Sequence, residues 1–136
     1  MNRRFSLIEL MVVVVILGIL ATVVSVNVLE HLATARKTQA KTQISNFKSA
    51  LEFYYIDNHK YPTSSEGLRK LTEVPNGKMS GYLEVIPKDP WGNLYEYRCP
   101  TDHKYDIISF GSDAVEGGDG EAADIKSWEL VEGEGK

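Results

Sequence analysis

Phe5-Ser6-Leu7-Ile8-Glu9-Leu10-Met11-Val12-Val13-Val14 opens a segment in which apolar residues dominate as far as Leu29. From Leu10 to Val26 the only exceptions are Gly18, Thr22 and Ser25, over 17 residues. Carried to Leu29 the run reaches 20 residues, enough to cross a hydrocarbon core about 30 Å thick at about 1.5 Å per residue. Arg3 and Arg4 precede it, which favours a cytoplasmic N-terminus and an outward-facing remainder. Two ordinary readings compete. A cleaved secretory signal has a shorter apolar core, and Ala33-Thr34-Ala35, which imitates its cleavage site, lies beyond the run. A plain signal anchor fits the length. Neither explains Glu9: a carboxylate costs about 2.5–3.5 kcal/mol near the centre of a spanning helix, less at its edge, and the apolar stretch after it offers no partner.

Downstream the pattern turns amphipathic. Ala40, Ile44, Phe47, Leu51 and Tyr54 fall on one helical stripe, while Lys37, Lys41, Gln43, Asn46 and Lys48 occupy other faces. One helix is therefore expected from about Ser6 to Asp57, and Tyr61-Pro62-Thr63 stops it because Pro disfavours helix before itself. Ser64 to Leu71 reads as a short helix capped by Ser64 or Ser65, with Leu68 and Leu71 inward. After a connector over 74–81, strands are expected at Tyr82–Ile86, Tyr95–Cys99 and Tyr105–Phe110. Asp89-Pro90-Trp91-Gly92-Asn93 supplies one turn and Thr101–Lys104 the other. The expected fold class is α+β: a long helix, apolar and then amphipathic, packed on a small antiparallel sheet. The expected division is a leader at 1–4, an apolar transmembrane or filament-core helix at 5–29 and a soluble domain at 30–136.

Charge and composition exclude several function classes. Hydrophobic residues at 43% and charged residues at 25% are ordinary for a globular chain, so wholesale disorder is ruled out. The formal net charge is −4, and −6 once Arg3 and Arg4 are set aside, which argues against a nucleic-acid partner. The single cysteine, Cys99, permits neither an internal disulfide nor a multi-cysteine zinc site. His31, His59 and His103 are scattered, and no phosphate loop or nucleophile elbow occurs. No active site is expected.

The last distinctive stretch is Gly111 to Asp124, where five carboxylates alternate with four glycines. It reads either as a solvated acidic loop or as a calcium site, since calcium takes six to eight oxygens at about 2.3–2.6 Å from carboxylates, carbonyls and water. Composition alone leaves both readings open.

The Phe5–Val14 stretch, behind its basic leader, resembles the class III signal of type IV pilins and pseudopilins. Tyr55-Ile56-Asp57-Asn58-His59-Lys60-Tyr61-Pro62-Thr63 with Gly67-Leu68, and Asp89-Pro90-Trp91-Gly92-Asn93-Leu94-Tyr95-Glu96-Tyr97, are similar to the pattern of the major pseudopilins of type II secretion systems. The resemblance covers nearly the whole chain and implies a type IV pilin-like fold. It implies cleavage between Arg4 and Phe5 by a prepilin peptidase, N-methylation of Phe5, and pairing of that new amine with Glu9 of a neighbouring subunit. It also implies a homopolymeric periplasmic filament that helps drive protein export across the outer membrane. Before assembly the subunit would cross the inner membrane once, N-terminus cytoplasmic and C-terminal domain periplasmic, and it would meet minor pseudopilins and an inner-membrane assembly platform. For calcium the resemblance implies Asp113 and Asp124 with the carbonyls of Phe110 and Val115; Asp119 and Ser127 are further options. Three positions depart from the family pattern: Arg4 stands where Gly is preferred, no Pro interrupts Ser25–Val28, and Lys126 replaces a small polar residue. A major type IV pilin and a monomeric signal-anchored calcium-binding domain are the alternatives. The lone cysteine favours a pseudopilin over a pilus, and Glu9 favours a fibre over a static anchor.

Overall fold

The computed structural model describes residues 4–130, and at residues 25–27 the backbone alone. The expected leader residues Met1, Asn2 and Arg3 lie outside the described residues. The chain forms two compact units, Met1–Ala35 and Arg36–Lys136, and helix α1 (Leu7–Asn58) supplies residues to both.

In the first unit α1 is apolar all round, and every side chain described from Leu7 to Val24 is exposed. Its early part is long and apolar enough to cross a membrane. In the second unit the same helix buries the predicted stripe: Ala40, Ile44, Phe47, Leu51 and Tyr54, joined by Ala50. The helix ends where His59 takes φ 59° and donates its N–H to the Tyr55 carbonyl at 2.7 Å, a left-handed C-terminal cap.

Three strands follow: β1 (Glu96–Thr101), β2 (Lys104–Ser109) and β3 (Ile125–Lys126), antiparallel in the order β1-β2-β3. Tyr95 and Tyr97 point inward and Glu96 and Arg98 outward, the alternation that a half-buried strand requires. Pro100 sits where the register shifts between Arg98 and Thr101, a place where its missing N–H is tolerated. On β1 the Cys99 N–H donates to Ser64 Oγ at 2.7 Å. Phe47 meets Tyr95 edge to face, with ring centroids 5.1 Å apart at 77°. The Tyr97 hydroxyl donates to the Pro62 carbonyl at 2.7 Å, and Tyr95 Oη to Gln43 Oε1. Burial pushes the phenols of Tyr95, Tyr97 and Tyr105 well above the usual tyrosine value, so all three stay neutral and Tyr95 and Tyr97 act as donors.

The long helix and the β1–β2 hairpin match the sequence expectation, with ends shifted by a residue or two. Two elements differ. Tyr82–Ile86 is not a strand: among the described residues no strand pairs with it, and it is tied instead by Leu83 N–H to the Leu71 carbonyl at 3.0 Å and by Tyr82 Oη to Asp57 Oδ2 at 2.6 Å. The short helix narrows to a 3-10 turn at Leu68–Thr72, with Leu68 and Leu71 buried as expected. Its lead-in turn is held not by Ser64 or Ser65 but by a reciprocal box. Glu66 Oε2 accepts the Thr63 N–H at 2.8 Å, and Thr63 Oγ1 accepts the Glu66 N–H at 3.3 Å. The Thr63 N–H, and then the Thr63 hydroxyl, which donates to the same Oε2 at 3.0 Å, hold the Glu66 carboxyl below its usual range.

Candidate functional site

The β2–β3 register builds the neck of the acidic loop. Ser109 pairs with Ile125, so the loop leaves the sheet at Phe110 and returns at Asp124, and both ends are held side by side. Two glycines let the arms close. Gly111 has φ +66°, and a Cβ there would lie 2.6 Å from the Glu121 carbonyl oxygen; a Cβ on Gly118, at φ +90°, would lie 2.7 Å from that of Ala122. Only a residue without a side chain fits either approach.

Asp113 ends a 3-10 turn, Gly111–Asp113, and its Oδ1 accepts the Val115 N–H at 3.1 Å. Between them Ala114 adopts φ 56°, a left-handed conformation uncommon outside glycine and asparagine. Asp124 is half-buried. Its Oδ2 accepts the Gly117 N–H at 3.0 Å, while its Oδ1 is buried and has no hydrogen-bond partner among the described residues. Asp119 is exposed and precedes the 3-10 turn Gly120–Ala122 without capping it through its side chain. Ser127 is placed elsewhere: its Oγ accepts the Ile107 N–H at 3.0 Å inside the sheet. Glu121 is held by Arg36 of α1 at 3.1 Å.

These residues fit a hard cation better than a soft one. Among the described residues no cluster of three or more His, Cys, Asp or Glu side chains is placed to hold a metal. A site here therefore rests on two carboxylates supplemented by backbone oxygens, a donor set suited to calcium. A buried carboxylate oxygen without a partner is costly, and a cation beside Asp124 Oδ1 would offset that cost.

A turn with no sequence signal for its role is bonded to the start of this loop. Asp89 is buried and its Oδ1 accepts the N–H groups of Trp91 at 3.1 Å and Asn93 at 2.7 Å. Its Oδ2 accepts the Ser109 hydroxyl at 2.8 Å, and Asn93 Nδ2 donates to the Gly111 carbonyl at 3.0 Å. The turn was legible from Asp-Pro-Trp-Gly-Asn; its partners, some twenty residues later, carry no local signal.

At the other end of the chain Arg4 and Phe5 are exposed, and Glu9 lies in the first turn of α1, where a negative charge complements the helix dipole. Glu9 makes no ion pair among the described residues.

The chain matches the family model described as "Type II secretion system (T2SS), protein G" over residues 27–128, and the "Prokaryotic N-terminal methylation motif" over residues 5–25. It is similar to type II secretion system core protein G of Vibrio cholerae, 44% identical over 93% of this chain and 91% of that one. The Pseudomonas aeruginosa protein of the same name is also 44% identical, over 95% of this chain and 99% of the other. Among solved structures, the crystal structure of the major pseudopilin from the type 2 secretion system of enterohaemorrhagic Escherichia coli superposes with a TM-score of 0.61 at 30% identity. It covers 76% of this chain and 95% of that one.

Proposed function

The chain belongs to the type II secretion system protein G family, and from that premise we propose how its two ends serve a filament. It is a structural subunit, a major pseudopilin that assembles into the pseudopilus, and not an enzyme. The methylation motif and the apolar helix fit a membrane-anchored pseudopilin.

In this reading prepilin peptidase cuts between Arg4 and Phe5 and methylates the Phe5 amine. The subunit waits in the inner membrane with its C-terminal domain in the periplasm, then enters the fibre with the assembly platform and minor pseudopilins as partners. The new ammonium of Phe5 pairs with Glu9 of a neighbouring subunit, which sets register more than it adds net stability. The observation that supports this is the exposure of the whole apolar window of α1: such a surface needs lipid or other copies of itself as its solvent. Intact-mass measurement of membrane-extracted protein tests the processing, and the expected product begins at methylated Phe5. A chain retaining Met1 in cells with active peptidase would refute it.

Calcium in the 110–124 loop is the second part of the proposal. Asp113 and Asp124 would hold it with the carbonyls of Phe110 and Val115. Bound there, the ion supplies a positive centre that joins the two arms of the loop. Ligand bound only to the folded state adds about 2.7 kcal/mol at a hundredfold excess over Kd. The melting temperature of the full chain in detergent is therefore expected to rise with calcium and much less with magnesium, which demands a smaller octahedral shell. Asp113→Ala and Asp124→Ala should erase most of the rise and Glu96→Ala should not, while a large loss in Asp119→Ala would add that carboxylate to the set. A melting temperature indifferent to calcium would return the loop to a solvated acidic turn.

A further inference from the structure

We propose that Asp89 and Asn93 are positioning residues of the metal loop: their turn fixes the backbone on both sides of Phe110, and so sets calcium affinity without touching the ion. The inference rests on the calcium reading above. Ser109 and Gly111 flank the residue whose carbonyl is a candidate ligand, and the same turn grips both. Asp89 takes the Ser109 hydroxyl at 2.8 Å, and Asn93 donates its side-chain amide to the Gly111 carbonyl at 3.0 Å. The turn itself is rigid. Asp89 Oδ1 accepts two N–H groups from it, and the Asp89 N–H donates to the Asn93 carbonyl at 2.9 Å.

Burial makes the arrangement consequential. Asp89 is 4% exposed and Ser109 fully buried, and no basic side chain forms an ion pair with Asp89 among the described residues. A buried carboxylate held only by hydrogen bonds is costly unless each is made, so the geometry of the turn is transmitted to Ser109 rather than absorbed by rotation. The Gly111 N–H, in the same peptide plane as the Phe110 carbonyl, donates to Ser109 Oγ at 3.4 Å, and the Gly111 carbonyl is held by Asn93, so the peptide that carries the Phe110 oxygen is gripped on both sides. Outer groups that orient ligands of a metal site typically change its affinity by about 10–100-fold when removed.

The test is calorimetric titration of the full-length protein in detergent with calcium chloride, at a temperature well below the apo melting point. Asn93→Ala, at a half-buried position, and Asp89→Asn are each expected to weaken calcium binding by about 10–100-fold. Thr63→Ala, which breaks the Thr63–Glu66 box far along the chain, is the control. It should lower the melting temperature and leave the calcium Kd unchanged, separating positioning from general stability. If Asp89→Asn fails to fold, Asn93→Ala decides alone. An unchanged Kd in Asn93→Ala while the parent binds calcium overturns the positioning role and leaves the calcium reading standing; a parent that binds no calcium overturns both.

Discussion

Residues 7–24 and 40–54 belong to one helix and are helical for opposite reasons. The first stretch buries none of its described side chains, and the second buries six. In the amphipathic half, tertiary packing pays the cost of ordering the backbone. In the apolar half none of the described side chains is buried, and helix is the form in which a chain can satisfy its own hydrogen bonds in lipid or among copies. Identical secondary structure thus conceals two folding problems, one solved within the subunit and one deferred to assembly.

Substitutions can break that comparison. The largest expected effect is in Phe47→Ala, which empties a site 1% exposed against Tyr95. It should lower the stability of the second unit by about 3–5 kcal/mol, read by denaturant titration of the full chain in detergent. Leu17→Ala, at an exposed position of the first unit, should change that stability by no more than about 0.5 kcal/mol. A comparable loss from both would mean that the two halves fold as one. Glu9→Ala separates them from the other side: the melting curve should stay within about 0.5 kcal/mol of the parent, while electron microscopy shows few or no filaments. Abundant filaments would remove the pairing role of Glu9.

The smallest effect is that of pH on the second unit. The hydrogen bond from Lys78, and then that from Tyr82, hold the Asp57 carboxyl below its ordinary value; the Thr63 bonds do the same for Glu66. A depressed carboxylate contributes stability that is fully present above its unfolded pKa, about 3.9 for Asp and 4.3 for Glu. It is lost as pH falls through the folded value. Both groups are solvent-facing, so the loss below about pH 4 should be shallow. Asp57→Asn should flatten it further, and a steep drop between pH 7 and 5 would contradict this assignment.

The contrast also explains what could be read from residues alone. Ala40, Ile44, Phe47, Leu51 and Tyr54 announce their face because helical spacing repeats along the whole segment. Tyr97 lies in a strand whose alternation is local, and the turn that leads to Tyr105 and β2 is local as well. Tyr82–Ile86 forms no strand, because pairing depends on a neighbouring strand and its Leu83 N–H bonds instead to the 3-10 turn at Leu71. β3, two residues long, is too short to have a period. At the acidic loop Asp113 and Asp124 came from resemblance, whereas Asp89, Ser109 and the Arg36–Glu121 pair are contacts between distant positions. Ser127 is adjacent to the loop in sequence yet spends its hydroxyl on Ile107.

The pairing of Ser109 with Ile125 has an entropic consequence. With its ends already joined by the sheet, the segment between them is a closed loop whose closure has been met by strand pairing. Lengthening such a loop costs little: each doubling of its residues adds about 0.6 kcal/mol, less than the roughly 1.4 kcal/mol of a tenfold change in binding. Insertions between Val115 and Gly117 should therefore be tolerated, and in the proposed calcium reading affinity should depend on the two ends of the loop far more than on its length.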